Sequence, residues 1–133
     1  MIHIREATPE DLYFVRSSWF RSFWDHDPFH VQPGPAGYKD YEAYMPGIIK
    51  GLLERSKCHV AVFAAAPSEV IAWACHKERS LVWAYTKKDY RQQGLQAQLT
   101  KGLEEYTLRP KLPAGRALVK RMHFNPWPLL RTS

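Results

Sequence analysis

Tyr85-Thr86-Lys87-Lys88-Asp89-Tyr90-Arg91-Gln92-Gln93-Gly94-Leu95-Gln96-Ala97 joins two different periodicities. Ahead of it, Leu81-Val82-Trp83-Ala84-Tyr85-Thr86 is rich in β-branched and aromatic residues and reads as a strand. Behind it, Leu95, Leu99 and Leu103 recur at helical spacing on a segment that ends before Pro110 and Pro113. A strand that feeds a helix through a glycine turn presents unpaired backbone N–H groups, with the positive end of the helix dipole behind them. That arrangement suits a pyrophosphate. Gly94 fits it because a residue without Cβ lets an anion approach the backbone and permits turn geometry that other residues resist. Lys87, Lys88, Arg91 and Lys101 add attraction within a Debye length of roughly 8 to 10 Å.

Upstream, residues 59–64 and 70–75 flank the breaker Ala66-Pro67-Ser68, the pattern of an antiparallel hairpin that leads straight into the strand at Leu81. At the start of the chain, Ile2 and Ile4 alternate with His3 and Arg5 as a short first strand. Thr8-Pro9-Glu10-Asp11 then supplies an N-cap, a proline at the first helical position and an acid three residues after the cap. Leu12, Val15, Trp19 and Phe23 mark the buried stripe of the helix that follows, which ends near Asp25-His26-Asp27-Pro28. Pro28, Pro33, Gly34, Pro35 and Gly37 make residues 28–37 a loop. A second helix spans about Tyr38 to Glu54, with Met45-Pro46-Gly47 expected to split or kink it. Downstream, residues 116–122 read as a last strand, stopped by Asn125-Pro126-Trp127-Pro128. The order β-α-α-β-β-β-α-β predicts an α/β (α+β) sandwich in which helices cover a mostly antiparallel sheet.

The 133 residues hold enough apolar material, 45%, for one packed core and too little length for two, so residues 1–133 read as a single domain. The formal charge of +6 is unevenly spread. Residues 1–86 carry nine basic and ten acidic side chains, whereas residues 87–133 carry ten and three. The C-terminal third is the anion-attracting part. Nucleic acid is the natural rival for that charge, but the basic residues are dispersed rather than set in one stripe or among aromatics, which argues against it. Cys58 and Cys75, in a chain with no basic-then-apolar leader, predict a reducing cytoplasm. No apolar run approaches the roughly 20 residues of a bilayer crossing.

The stretch quoted first resembles the acetyl-CoA signature of the GCN5-related N-acetyltransferase (GNAT) superfamily: Arg or Gln, two residues, Gly, one residue, then Gly or Ala. Arg91 and Gly94 fill the first two places and Asp89-Tyr90-Arg91 matches the lead-in, while Gln96 departs from the third. Ile4 to Asp11 resembles the family's first strand and helix cap, and the element order agrees from residue 1 to about 125. The resemblance implies that acetyl-CoA is bound and its acetyl group transferred to an amine of a protein or small molecule. It further implies that backbone groups at Tyr85 and Thr86 hold the pantetheine arm. Amides of Gln92, Gln93, Gly94, Leu95, Gln96 and Ala97 would take the pyrophosphate beside Arg91, and Asn125 would contact the arm. Gln96 is expected to point outward, only its amide being required.

The family fold normally adds a further helix and two strands, with a Tyr on that helix as leaving-group acid; after Asn125 this sequence has no Tyr. Three alternatives stay open: a minimal fold, a site completed by a second copy in a homodimer, or a degenerate domain that binds coenzyme A and a partner such as a host protein. A chain this short would suit a compact phage genome. His76 and Glu78, ending the strand before the motif strand, are the candidate catalytic bases, against a solvated strand end. His26 and His30 lie in the loop that would border the acceptor, as bases or as a solvated turn. Cys58-His59 and Cys75-His76 invite a zinc site, but successive strand residues face opposite ways, so no metal is expected. Most of the aromatics Trp19, Phe20, Phe23, Trp24, Tyr38, Tyr41 and Tyr44 read as helix-to-sheet core, with an acceptor groove or an interface as the alternative, and Tyr13 with Phe14 widens the apolar arc of the first helix toward a second subunit.

Overall fold

The computed structural model describes residues 1–32 and 37–131, so Pro33, Gly34 and Pro35 of the expected loop lie outside the described residues. Alternation at Ile2 and Ile4 forms β1 (Ile2–Glu6), which pairs antiparallel with β2 (Lys57–Phe63). The chain then enters α1 (Leu12–His26) through one 3-10 turn. There the Asp11 carboxylate accepts from the Thr8 N–H at 2.7 Å and hydroxyl at 3.0 Å, and pairs with Arg5 at 2.6 Å. Val15, Trp19 and Phe23 are completely buried. Asp27 ends the helix in the left-handed region (φ 45°), its carboxylate accepting the amides of Val31 at 2.6 Å and Gln32 at 3.1 Å.

α2 (Tyr38–Glu54) runs through Pro46 as one helix, where the sequence predicts an interruption. Tyr41, Met45, Ile49 and Leu52 form its buried stripe while Pro46 lies on the exposed face, so the carbonyl that loses its partner faces water. β3 (Ala66–Lys77) and β4 (Ser80–Thr86) continue the antiparallel sheet. The turn of the first hairpin falls at Ala64 and Ala65, and the expected breaker Ala66-Pro67-Ser68 opens β3 instead. The register slips there, Phe63 facing Ala66 and Val62 facing Val70, which leaves Pro67 in a bulge where no ladder donor is required.

The C-terminal third departs further from the sequence pattern. α3 is a single turn (Leu95–Leu99), since the chain leaves it at Gly102 (φ 88°) well short of Pro110. β5 (Glu105–Tyr106) and β6 (His123–Phe124) then add two short parallel strands, in the order β1-β2-β3-β4-β5-β6. The expected strand over residues 116–122 is instead α4 (Pro113–Leu118) and the turn after it. Pro113 starts that helix at its N-terminus, and Leu118, Val119 and Met122 share the face that packs on the sheet. α5 (Trp127–Leu130) follows.

The result is the expected mixed α+β sandwich. α1 and α2 cover one sheet face against Val60, Val62, Val70 and Trp73, while α3 and α4 cover the other against Ala61, Ile71, Ala74 and Leu81. Two buried serines of α1 anchor the sheet: Ser18 accepts from the Trp73 indole N–H at 2.8 Å and Ser22 from that of Trp83 at 3.0 Å. Phe14 turns inward onto Tyr85, whereas Tyr13 is 78% exposed.

Candidate functional site

The site begins with a strand that loses its neighbour. β5 pairs with β4 only at Ser80 and Leu81, the Thr107 N–H reaching the Leu81 carbonyl at 2.9 Å. Beyond that point β5 and β4 diverge. Lys87 donates to the Ile71 carbonyl at 2.9 Å, and with Thr86 opposite Ala72 and Tyr85 opposite Trp73, alternation turns Ala84 and Thr86 toward the open edge. The Thr86 carbonyl there accepts from Arg91 Nε at 2.9 Å.

Into this divergence opens a narrow cleft of about 40 Å³. Residues 81–84 of β4 form one wall; Tyr106, Leu108, Pro110, Leu118 at the end of α4 and Val119 just after it form the other. His26 closes one end. Its ring packs edge-on to Trp83 at 5.2 Å and its Nδ1 accepts the Leu112 N–H at 3.2 Å, so the neutral ring carries its proton on Nε2. Burial holds the His26 imidazole below its ordinary 6.5, with Arg91 acting the same way and Asp25 opposing. Gly115 completes the closure. A Cβ there would lie 2.5 Å from Pro110 Cβ and 2.9 Å from His26 Cε1.

At the end of β4 the chain passes through a 3-10 turn at Lys88–Tyr90 and two left-handed residues, Gln92 (φ 64°) and Gly94 (φ 76°). The amides of Gln92, Gln93, Gly94, Leu95, Gln96 and Ala97 donate to nothing among the described residues; the next one, Gln98, donates to Gly94 at 3.2 Å. Leu95 is buried and Gln96 half-buried, while Gln92, Gln93, Gly94 and Ala97 are exposed. A one-turn helix has little dipole of its own, so the anion-attracting character lies in these amides and in Arg91, not in the long helix the sequence predicts.

Gln96 points inward, contrary to expectation. Its Nε2 donates to the carbonyls of Trp73 at 3.1 Å and Tyr85 at 3.0 Å and to Thr86 Oγ1 at 3.1 Å. Its Oε1 is buried without a donor. The turn is thereby strapped to the strand end. Lys87 is drawn away from the turn, pairing with Glu69 at 3.4 Å and lying over Phe14 at 5.0 Å.

His76 and Glu78 sit in the hairpin at the other end of β4 and line no part of the cleft. His76 Nδ1 meets the Glu78 carbonyl at 3.2 Å, and the Glu78 carboxylate pairs with Arg131 at 2.6 Å. Asn125 is likewise engaged: its Nδ2 donates to Glu105 at 2.6 Å and its Oδ1 accepts from Trp127 at 3.2 Å. Cys58 and Cys75 face each other across β2 and β3, whereas His59 and His76 stack at 5.5 Å. Among the described residues no group of three or more His, Cys, Asp and Glu is placed to hold a metal. His30 is exposed in the turn after α1.

No protein-family model matches the chain, and no curated protein is similar to it in sequence. Its fold is that of the GCN5-related N-acetyltransferases. The apo form of YjaB from Escherichia coli superposes with a TM-score of 0.54 at 17% identity, over 76% of this chain and 63% of that one. A GCN5-related N-acetyltransferase from Rhodopseudomonas palustris, also described as an aminotransferase of class II, superposes with 0.51 at 14% identity, over 76% and 62%. The chain thus spans less than two thirds of either neighbour. Among the described residues no helix is long and apolar enough to cross a membrane.

Proposed function

We propose that residues 1–133 form an acetyl-CoA-binding domain that acetylates an amine, on a protein or a small molecule, in the cytoplasm. The observation that carries this reading is the run of unpartnered amides from Gln92 to Ala97, set directly beyond the unpaired edge of β4. The buried Gln96 Oε1 lacks a donor close to the same turn, and a Cβ on Gly94 would meet nothing within 4 Å, so the space in front of the backbone is open. These features fit a diphosphate followed by an amide-bearing arm. When bound, the coenzyme supplies a thioester carbonyl open to attack by an uncharged amine.

The chain's own part is binding and positioning. The turn amides and Arg91 hold the phosphates, and the unpaired Ala84 N–H is the polarising donor at the cleft wall. His26 and Tyr106 are the titratable side chains that line the cleft, and they replace His76 and Glu78 as the groups available to move a proton.

A second reading is favoured by the narrowness of the cleft, whose α4 wall touches His26 through Gly115. On that reading the cleft stays shut and the domain acts by binding a partner protein. Calorimetric titration of acetyl-CoA, followed by thiol release across a panel of amines, separates the two. Acetyl-CoA binding with amine-dependent thiol release supports the enzyme; binding without release supports the partner-binding domain; no binding at millimolar coenzyme overturns the first reading.

A further inference from the structure

Behind the α4 wall lies a second hollow, of about 330 Å³, that shares Tyr106, Pro110 and Val119 with the cleft. Its charged lining is of one sign: Arg109, Arg116 and Lys120. No carboxylate lines it, and none of the three takes part in an ion pair among the described residues. Nearby, Glu105 is occupied by Asn125, and Glu104 lies 3.7 Å from Arg79.

The three cations are placed rather than scattered. The Arg109 guanidinium lies over the Phe124 ring, 4.2 Å from its centroid, and Phe124 packs tilted on Tyr106 at 5.4 Å, so a cation–π contact holds this guanidinium at the rim. Arg116 lies in the last turn of α4 and Lys120, four residues on, in the turn that follows it, and both line the hollow. Like charges at that spacing repel each other when nothing lies between them. A dianion between them turns that repulsion into attraction, and two guanidiniums match tetrahedral oxygen geometry through paired N–H donors.

We propose that this hollow is a phosphate-monoester subsite, with Arg109, Arg116 and Lys120 as its ligands. The anion itself stands apart from the acetyltransferase reading; which molecule brings it rests on that reading. Two sources share the chemistry, a phosphate carried by the coenzyme and a phosphate carried by the acceptor amine, the latter reaching the cleft past Tyr106.

The test compares the full chain with the double substitutions Arg116→Glu/Lys120→Glu and Arg116→Gln/Lys120→Gln of exposed residues, neither of which belongs to the turn at Gly94. Binding of inorganic phosphate and of O-phosphoethanolamine is followed by backbone amide shifts and calorimetry at low and at 0.3 M salt, as roughly Debye-screened conditions require. The expected result is a site centred on residues 109–120 whose affinity falls about tenfold or more in both variants. A higher affinity for coenzyme A than for its 3′-dephospho form, seen only in the parent, assigns the phosphate to the coenzyme. Preferential acetylation of O-phosphoethanolamine over ethanolamine, again lost in the variants, assigns it to the acceptor. Equal phosphate shifts in parent and variants overturn the proposal. If acetyl-CoA fails to bind while phosphate still titrates residues 109–120, the acetyltransferase reading has failed and the anion subsite has not.

Discussion

Replacing Gly94 by Asp or by Asn separates the charge of an anion cradle from its geometry. Gly94 has φ 76°, a conformation that Asn and Asp tolerate better than other residues with a Cβ, and the added side chain meets no atom within 4 Å. Both variants should therefore fold with a similar loss of about 1 kcal/mol. They differ in one charge. A carboxylate about 4 Å from a phosphate oxygen costs about 1 kcal/mol in bulk water and about 4 kcal/mol at an effective dielectric near 20. The exposed turn lies between these limits, so Gly94→Asp should bind acetyl-CoA roughly 5- to 1,000-fold more weakly than Gly94→Asn. Calorimetry at two salt concentrations reads this directly, and the gap should narrow as salt rises. Equal affinities in the two variants would refute the placement of the diphosphate at this turn.

Gly115→Ala forces a methyl against Pro110 Cβ at 2.5 Å and His26 Cε1 at 2.9 Å, and should lower stability by about 1–3 kcal/mol in chemical denaturation. Adding His26→Ala should recover only part of that loss, because Pro110 remains. Asp11 titrates below its ordinary 3.8: burial alone would raise it, but hydrogen bonds from Arg5 and Thr8 more than offset that. Its contribution is thus fully present above pH 3.8 and disappears as pH falls through the lower folded value; Asp11→Asn should flatten the acid limb of a pH–stability curve. His26 shifts below 6.5 because burial disfavours its charged form, so the folded state resists protonation and stability declines as pH drops below 6.5. Protonation also removes the acceptor for the Leu112 N–H. His26→Gln should weaken this dependence, while His76→Gln, at the far hairpin, should leave coenzyme binding unchanged.

The residues that announced their structure were those whose burial repeats over several turns or strand steps. Val15, Trp19 and Phe23, or Tyr41, Met45, Ile49 and Leu52, keep one face inward long enough for the period to show, and Thr8 with Asp11 caps α1 locally. The strands at Trp73 and Trp83 were legible for the same reason. Beyond Leu99 the elements are too short to carry a period. β5 and β6 hold two residues each, and residues 116–122 alternate well enough to mimic a strand although Pro113 marks a helix start. At the candidate site, the turn that carries Arg91 and Gly94 was readable because a turn is local. For His26 the sequence left a base and a solvated turn open, since the surroundings that place it in the cleft, Trp83, Leu112 and Gly115, are far along the chain. The side-chain partners of Asn125 and Glu78 are long-range in the same way.

Gln96 shows why departure from the expected motif need not weaken the turn. A small residue at that position would leave the carbonyls of Trp73 and Tyr85 without this donor and the turn joined to the sheet mainly by backbone connectivity. With α3 reduced to one turn, few helical hydrogen bonds remain to hold the amides in place. The Gln96 side chain makes up for that by bonding the turn to β3 and β4 together, so the unpartnered N–H groups are held by the strand end rather than by the helix behind them. Preorganised donors bind an anion better than mobile ones because less order is lost on binding. The short helix and the long side chain are therefore one structural solution: what the dipole cannot supply, a rigid set of amides can.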